Sequence, residues 1–132
     1  MTDADPRRNN PDTDYTDFVT YPDSQIRTEI GIQEGAVRWF RVQLEYNAAS
    51  DPYLNYDWRQ VAGFDHHPRT NWGHDITTER LHLDIYRNGR KEDVKHGFPE
   101  VTLNEAPRYC EQFLRTHADR YIGQFERWHD FR

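Results

Sequence analysis

Apolar and polar residues alternate along most of the chain, and only its last quarter changes to helical spacing. The first alternating run is 25–32, where Ile26, Ile30 and Ile32 share one parity. Glu34-Gly35 supplies a turn into a longer run, 37–46. There Phe40, Val42, Leu44 and Tyr46 fall on one side and Trp39, Arg41, Gln43 and Glu45 on the other, as in an antiparallel sheet with one covered face. After a loop at 47–57 containing Asp51-Pro52, a third strand is predicted over 58–66. Trp58, Ala62 and Phe64 take one parity there, and Val61, Gly63 and Asp65 the other. Pro68 ends this strand because proline has no N–H for the ladder. The fourth run, 80–86, puts Leu81, Leu83 and Ile85 inward and His82, Asp84 and Tyr86 outward. Asn88-Gly89 is a type I′ hairpin signal, returning the chain through 91–95.

The period then changes. Ala106, Cys110, Phe113, Leu114, His117, Tyr121, Phe125 and Trp128 form one helical stripe, with Gly123 a weak point near its end. Asn104 is the expected N-cap, because it leaves Pro107 early enough in the helix that its missing N–H costs nothing. A Thr102–Glu105 capping box is the other possibility, but it pushes Pro107 to a position whose N–H should be bonded. The expected fold class is α+β, an antiparallel sheet of four to five strands covered on one face by a long C-terminal helix.

Composition adds constraints to this pattern. With 132 residues there is room for one domain. Its core must lean on aromatic residues, since 4 Trp and 8 Tyr supplement a modest aliphatic complement. Residues 1–23 carry six aspartates against Arg7 and Arg8, with Pro6, Pro11 and Pro22, and are expected to be an acidic flexible tail before a single domain at 24–132. The N-terminus lacks the basic and apolar regions of a secretion signal, and no apolar run is long enough to span a bilayer. Cys110 is alone and lies on the apolar helical stripe, so a buried thiol is expected. Together these features point to a cytoplasmic protein without membrane partners. Acidic residues outnumber basic ones, and Lys is scarce beside Arg, a surface suited to high salt. The net charge of −6 argues against nonspecific duplex binding.

Chemistry concentrates between Asp65 and Asp84. The runs Phe64-Asp65-His66-His67-Pro68, Gly73-His74-Asp75 and Leu81-His82-Leu83-Asp84 hold residue types that move protons near neutral pH, bind phosphate or ligate metals. Parity groups Asp65, His67, His82 and Asp84, turns His66 the other way, and leaves His74 on a loop that can close over them. One reading is metal-free acid–base chemistry on a phosphodiester, with Asp65, His67, His74, His82 and Arg69 as the catalytic set. The hairpin 87–95, with its local excess of basic residues, would assist with charge, and Trp72 and Tyr86 would stack a base or pack in the core. A second reading is a divalent site for Zn or Mn built from His74, His82 and Asp84. That spacing matches no diagnostic metal motif, and the first reading needs no cofactor. A third leaves the histidines as strand-end and loop groups of an interaction module, with Trp39 and Trp58 as exposed anchors.

From Trp58 onward the chain resembles uncharacterised small proteins of halophilic archaea carrying Phe-Asp-His-x-Pro, Gly-His-Asp and Leu-His-x-Asp. More remotely it is similar to the TumE-type toxins of toxin–antitoxin pairs, with Asp65, His67, Gly73 and His74 as the matching residues. Residues 76–83 depart from the toxin pattern, as do His82 and Asp84. The resemblance implies a ribonuclease-like toxin with an RNA substrate and an antitoxin-like protein partner. A homodimer is the other partner considered, formed through an edge strand.

Overall fold

A computed structural model describes residues 10–68 and 75–131. Among these residues six strands form one antiparallel sheet in chain order. They are β1 (Thr13–Thr20), β2 (Ser24–Gln33), β3 (Ala36–Asn47), β4 (Trp58–His66), β5 (Leu83–Arg87) and β6 (Arg90–Lys95). A short helix α1 (Ile76–Glu79) precedes β5, and a long helix α2 (Ala106–His129) closes the chain. The α+β class and the helix-covered sheet are as expected, but the strands number six. The additional strand is β1, inside the segment read as tail. Its register against β2 runs from Thr13 opposite Ile30 to Thr20 opposite Ser24. Residues 1–9 lie outside the described residues.

The pleat sorts side chains as the alternation requires. Ile26, Phe40, Val42, Leu44, Tyr46, Ala62, Phe64, Leu83 and Ile85 are all buried beneath α2, which lays Ala106, Cys110, Leu114, Ala118, Tyr121 and Phe125 across the sheet. Each large side chain fully removed from water here contributes about 1.5–3 kcal/mol. Cys110 is the buried thiol the stripe implied, and burial raises its pKa well above the usual range. No helix among the described residues is long and apolar enough to cross a membrane.

The turns follow their residue chemistry. Glu34-Gly35 and Asn88-Gly89 both carry two successive positive φ values, the type I′ geometry that matches strand twist. α2 departs from expectation at its start. Asn104 does not cap it; its Oδ1 accepts from the Val37 amide at 2.9 Å and anchors the beginning of β3. Thr102 and Glu105 instead bond reciprocally, Thr102 Oγ1 donating to Glu105 Oε1 at 2.8 Å and the Glu105 amide to Thr102 Oγ1 at 3.3 Å. Pro107 is tolerated because it stands in the first turn. Far from the helix start, His129 accepts from the Asn88 amide at 3.0 Å and ties the last turn to the β5–β6 hairpin.

α1 was not expected, though its signal is present. Asp75 accepts from the Thr77 amide at 3.0 Å, while Glu79 Oε2 accepts from the Asp75 amide at 3.1 Å. Asn47, fully buried, organises the β3–β4 loop. Its Nδ2 donates to the carbonyls of Pro22, Pro52 and Asn55, and its Oδ1 accepts from the amides of Ala49 and Asp57.

Candidate functional site

The sheet face away from α2 carries the polar half of each alternating strand. On β3 these residues are Arg41, Gln43 and Glu45; register sets Arg41 beside Asp65 and Gln43 beside Gly63 on β4. Gly63 in turn pairs with Asp84 on β5, and Tyr86 with Lys91 on β6. Four adjacent strands thus place two carboxylates and two cations on one surface. Between them lies a cleft of about 310 Å³, lined by Arg41, Gln43, Gln60, Gly63, Asp65, Tyr86 and Lys91. Glycine matters at its floor: a Cβ on Gly63 would come within 3.2 Å of Gln43 Cγ and the Val42 carbonyl. A side chain there would crowd β3 and fill the cleft.

Both aspartates are withdrawn from solvent, Asp65 to 6% exposure and Asp84 to 1%. Lys91 Nζ stands 3.2 Å from Asp84 Oδ2 and keeps its own stem partly in water. Burial raises the Tyr86 phenol to a pKa of about 12, with Asp84 and Asp65 adding to the effect. It therefore stays a donor at neutral pH. A polar ladder runs from the cleft across the sheet. Gln60 donates to Gln43, Gln43 to Glu45 at 3.4 Å, and Gln25 to Glu45 at 2.7 Å. Burial raises the Glu45 pKa, partly offset by the Gln25 bond and by Arg27.

The histidines separate. His66 points under α2, stacks on Phe40 with centroids 6.1 Å apart, and accepts the Ile76 amide on Nδ1 at 3.1 Å. That bond fixes Nδ1 as the unprotonated nitrogen and holds the start of α1. The expectation that His66 faces away from the site holds. His67 leaves β4 on the open side with Asp65, but it is 5% exposed, its ring 5.0 Å from that of Trp39. Burial lowers its pKa, and the charges of Arg41, His66 and Arg38 lower it further. His67 packs against Trp39, and the cleft lining does not include it. His82 stands before β5, half-buried and edge-on to His96 at 4.3 Å. Arg69, Trp72, Gly73 and His74 lie outside the described residues.

Among the described residues of the sequence-derived set, Asp65 alone lines the cleft, with Asp84 beneath Lys91. Arg41, Gln43, Gln60 and Lys91 were missed. Their signal was the polar row of the long central strand, which alternation identified without assigning it chemistry. Trp39 is also corrected as an exposed anchor: it is 6% exposed and lies over Gly31, where a Cβ would sit 2.0 Å from the indole nitrogen. For the metal reading, no three His, Cys, Asp or Glu among the described residues gather at ligand spacing. The charge facing Asp84 is the Lys91 ammonium.

No curated protein and no solved structure matches the chain. A family model, the domain of unknown function DUF7718, matches residues 8–131, a span that takes in the whole sheet, β1 included, and α2. The chain belongs to the DUF7718 family.

Proposed function

We propose that this protein is a small ribonuclease-like enzyme of the toxin type, acting on single-stranded RNA at the open face of its sheet. The observation that carries this reading is the nearly buried carboxylate of Asp65 sharing one cleft with the cations Arg41 and Lys91. Cleavage of a ribose-linked phosphodiester needs a base for the 2′-hydroxyl and positive charge for the phosphoryl oxygens. Asp65 takes the 2′-proton, the 2′-oxygen bonds to phosphorus, and the bond from phosphorus to the 5′-oxygen breaks. The departing oxygen takes a proton from water at the open mouth of the cleft. Arg41 and Lys91 hold the phosphoryl oxygens, while Tyr86 donates a hydrogen bond. His67 and Trp39 brace this end of the face. The resemblance of Asp65 and His67 to the TumE-type toxins supports the same reading, and an antitoxin-like protein would be the matching partner.

The test is cleavage of a mixed-sequence single-stranded RNA in chelator. Wild type should cleave with chelator present. Asp65→Asn, close in shape but unable to take the proton, should lose about 10²–10⁴-fold while melting at a similar temperature. An Asp65→Asn enzyme as active as wild type, or no cleavage by wild type at high salt, would refute the assignment.

A further inference from the structure

A second cleft, of about 490 Å³, opens on the same face nearer β1, lined by Thr16, Phe18, Gln25, Arg27, Glu45, Tyr56 and Trp58. We propose that it is a nucleobase subsite selecting guanine, an inference that rests on the RNA reading and gives that site its base preference.

The aromatic wall comes first. Phe18 on β1, Tyr56 in the β3–β4 loop and Trp58 at the start of β4 converge, with centroids 5.3 Å apart for Tyr56–Trp58, 6.0 Å for Phe18–Trp58 and 6.3 Å for Phe18–Tyr56. Tyr56 is nevertheless 55% and Phe18 36% open to solvent, with Trp58 half-buried beside them. Clustered exposed rings of this kind mark contact sites. The wall is also fixed in place, because the buried Asn47 holds the loop carrying Tyr56 by hydrogen bonds at both ends. Rigid exposed rings stack any base, since every base has a π-face.

The floor supplies selection. Glu45 lines this cleft at 7% exposure, and its two oxygens accept from Gln25 and Gln43. A carboxylate offers about four acceptor positions, so capacity remains for two further donors. Guanine presents a ring N–H beside an amino group on its Watson–Crick edge, two parallel donors matched to the two oxygens. Adenine and cytosine set their amino group beside an acceptor nitrogen, and uracil has a single N–H between carbonyls. Arg27 does not compete for Glu45, because Asp14 holds it through two bonds of 3.2 and 2.9 Å. The spacing also fits one strand of RNA. Gln43 of the first cleft and Glu45 of the second are same-face neighbours on β3, roughly 7 Å apart at strand rise.

The experiment titrates the full chain with guanosine, adenosine, cytidine and uridine 5′-monophosphates, followed by tryptophan fluorescence and calorimetry. Guanosine monophosphate should bind about tenfold tighter than the others. Glu45→Gln should level the four, Tyr56→Ala should weaken all of them by about tenfold, and Tyr56→Phe should keep wild-type binding. Equal affinities in wild type, an unchanged preference in Glu45→Gln, or no binding at millimolar nucleotide would overturn the subsite. So would displacement by tetramethylammonium, which would make the rings a cation cage. RNA cleavage without base preference removes the guanine subsite and leaves the RNA reading standing. Guanine-selective binding without cleavage supports the subsite and removes the proposed chemistry.

Discussion

Arg41→Ala should reduce RNA cleavage by about 10²–10³-fold, the usual cost of removing one group that stabilises transition-state charge. Arg41 stands opposite the proposed base in the register of β3 and β4 and lines the same cleft as Asp65. Glu29 on β2 stands 3.9 Å from its guanidinium. The loss should fall mainly on kcat, because charge on the phosphoryl oxygens grows as the 2′-oxygen attacks. Arg41→Lys should recover only part of the rate, since an ammonium cannot make the bidentate contact of a planar guanidinium. Kinetics on the two variants with matched thermal melts would check this. A loss confined to KM would reduce Arg41 to a binding residue.

Phe64→Ala should cost about 3–5 kcal/mol of stability, enough to threaten folding in a domain of this size. Phe64 is completely buried on the helix side of β4, edge-on to Phe98 at 5.1 Å and to Phe113 at 5.6 Å. Those two rings also meet each other at 5.0 Å, so one aromatic cluster joins the sheet, the segment before α2 and α2 itself. Truncation leaves a cavity whose walls belong to three elements and cannot collapse together. Denaturant unfolding would measure the effect, and a cost below about 1 kcal/mol would show that the cluster is not a keystone. Because Phe64 lies between Gly63 and Asp65, its loss should also disturb the cleft on the other face.

The contrast between β4 and β1 shows what alternation reveals. The bounds of β4 were legible because Ala62 and Phe64 alternate with Gly63 and Asp65 and Pro68 ends the run, whereas the bulge that leaves Val61 out of the ladder with β3 was not. β1 was misread because burial does not hold it. It is an edge strand, largely exposed, bonded to β2 along one side. Its side chains reach α2 through polar links: Tyr15 to Glu111, and Asp17 to Arg115 at 2.9 Å. A density of aspartates that looks like a solvated tail is equally what a protected edge strand needs. The start of α2 failed for a related reason: Asn104 is a good cap by type, but its oxygen was claimed by β3.

The candidate site was legible along one strand and invisible across strands. Asp65, His66 and His67 are adjacent in sequence, yet the pleat sends His66 beneath the helix and packs His67 against Trp39. Proximity in sequence therefore overstated their cooperation. Arg41, Gln43 and Lys91 come from other strands, and only register brings them to Asp65 and Asp84. Gly63 was the local clue. A glycine in the middle of a well-formed strand marks a place where a side chain would be in the way.

The most direct test of the open face as the functional surface is amide chemical-shift mapping. Isotope-labelled Asp65→Asn protein would be titrated with a short single-stranded RNA containing guanine. Shifts should concentrate at Arg41, Gln43, Gly63, Tyr86 and Lys91, spreading with length of RNA toward Glu45, Tyr56 and Trp58. Shifts confined to the outer surface of α2, or none at millimolar RNA, would contradict the assignment of this face.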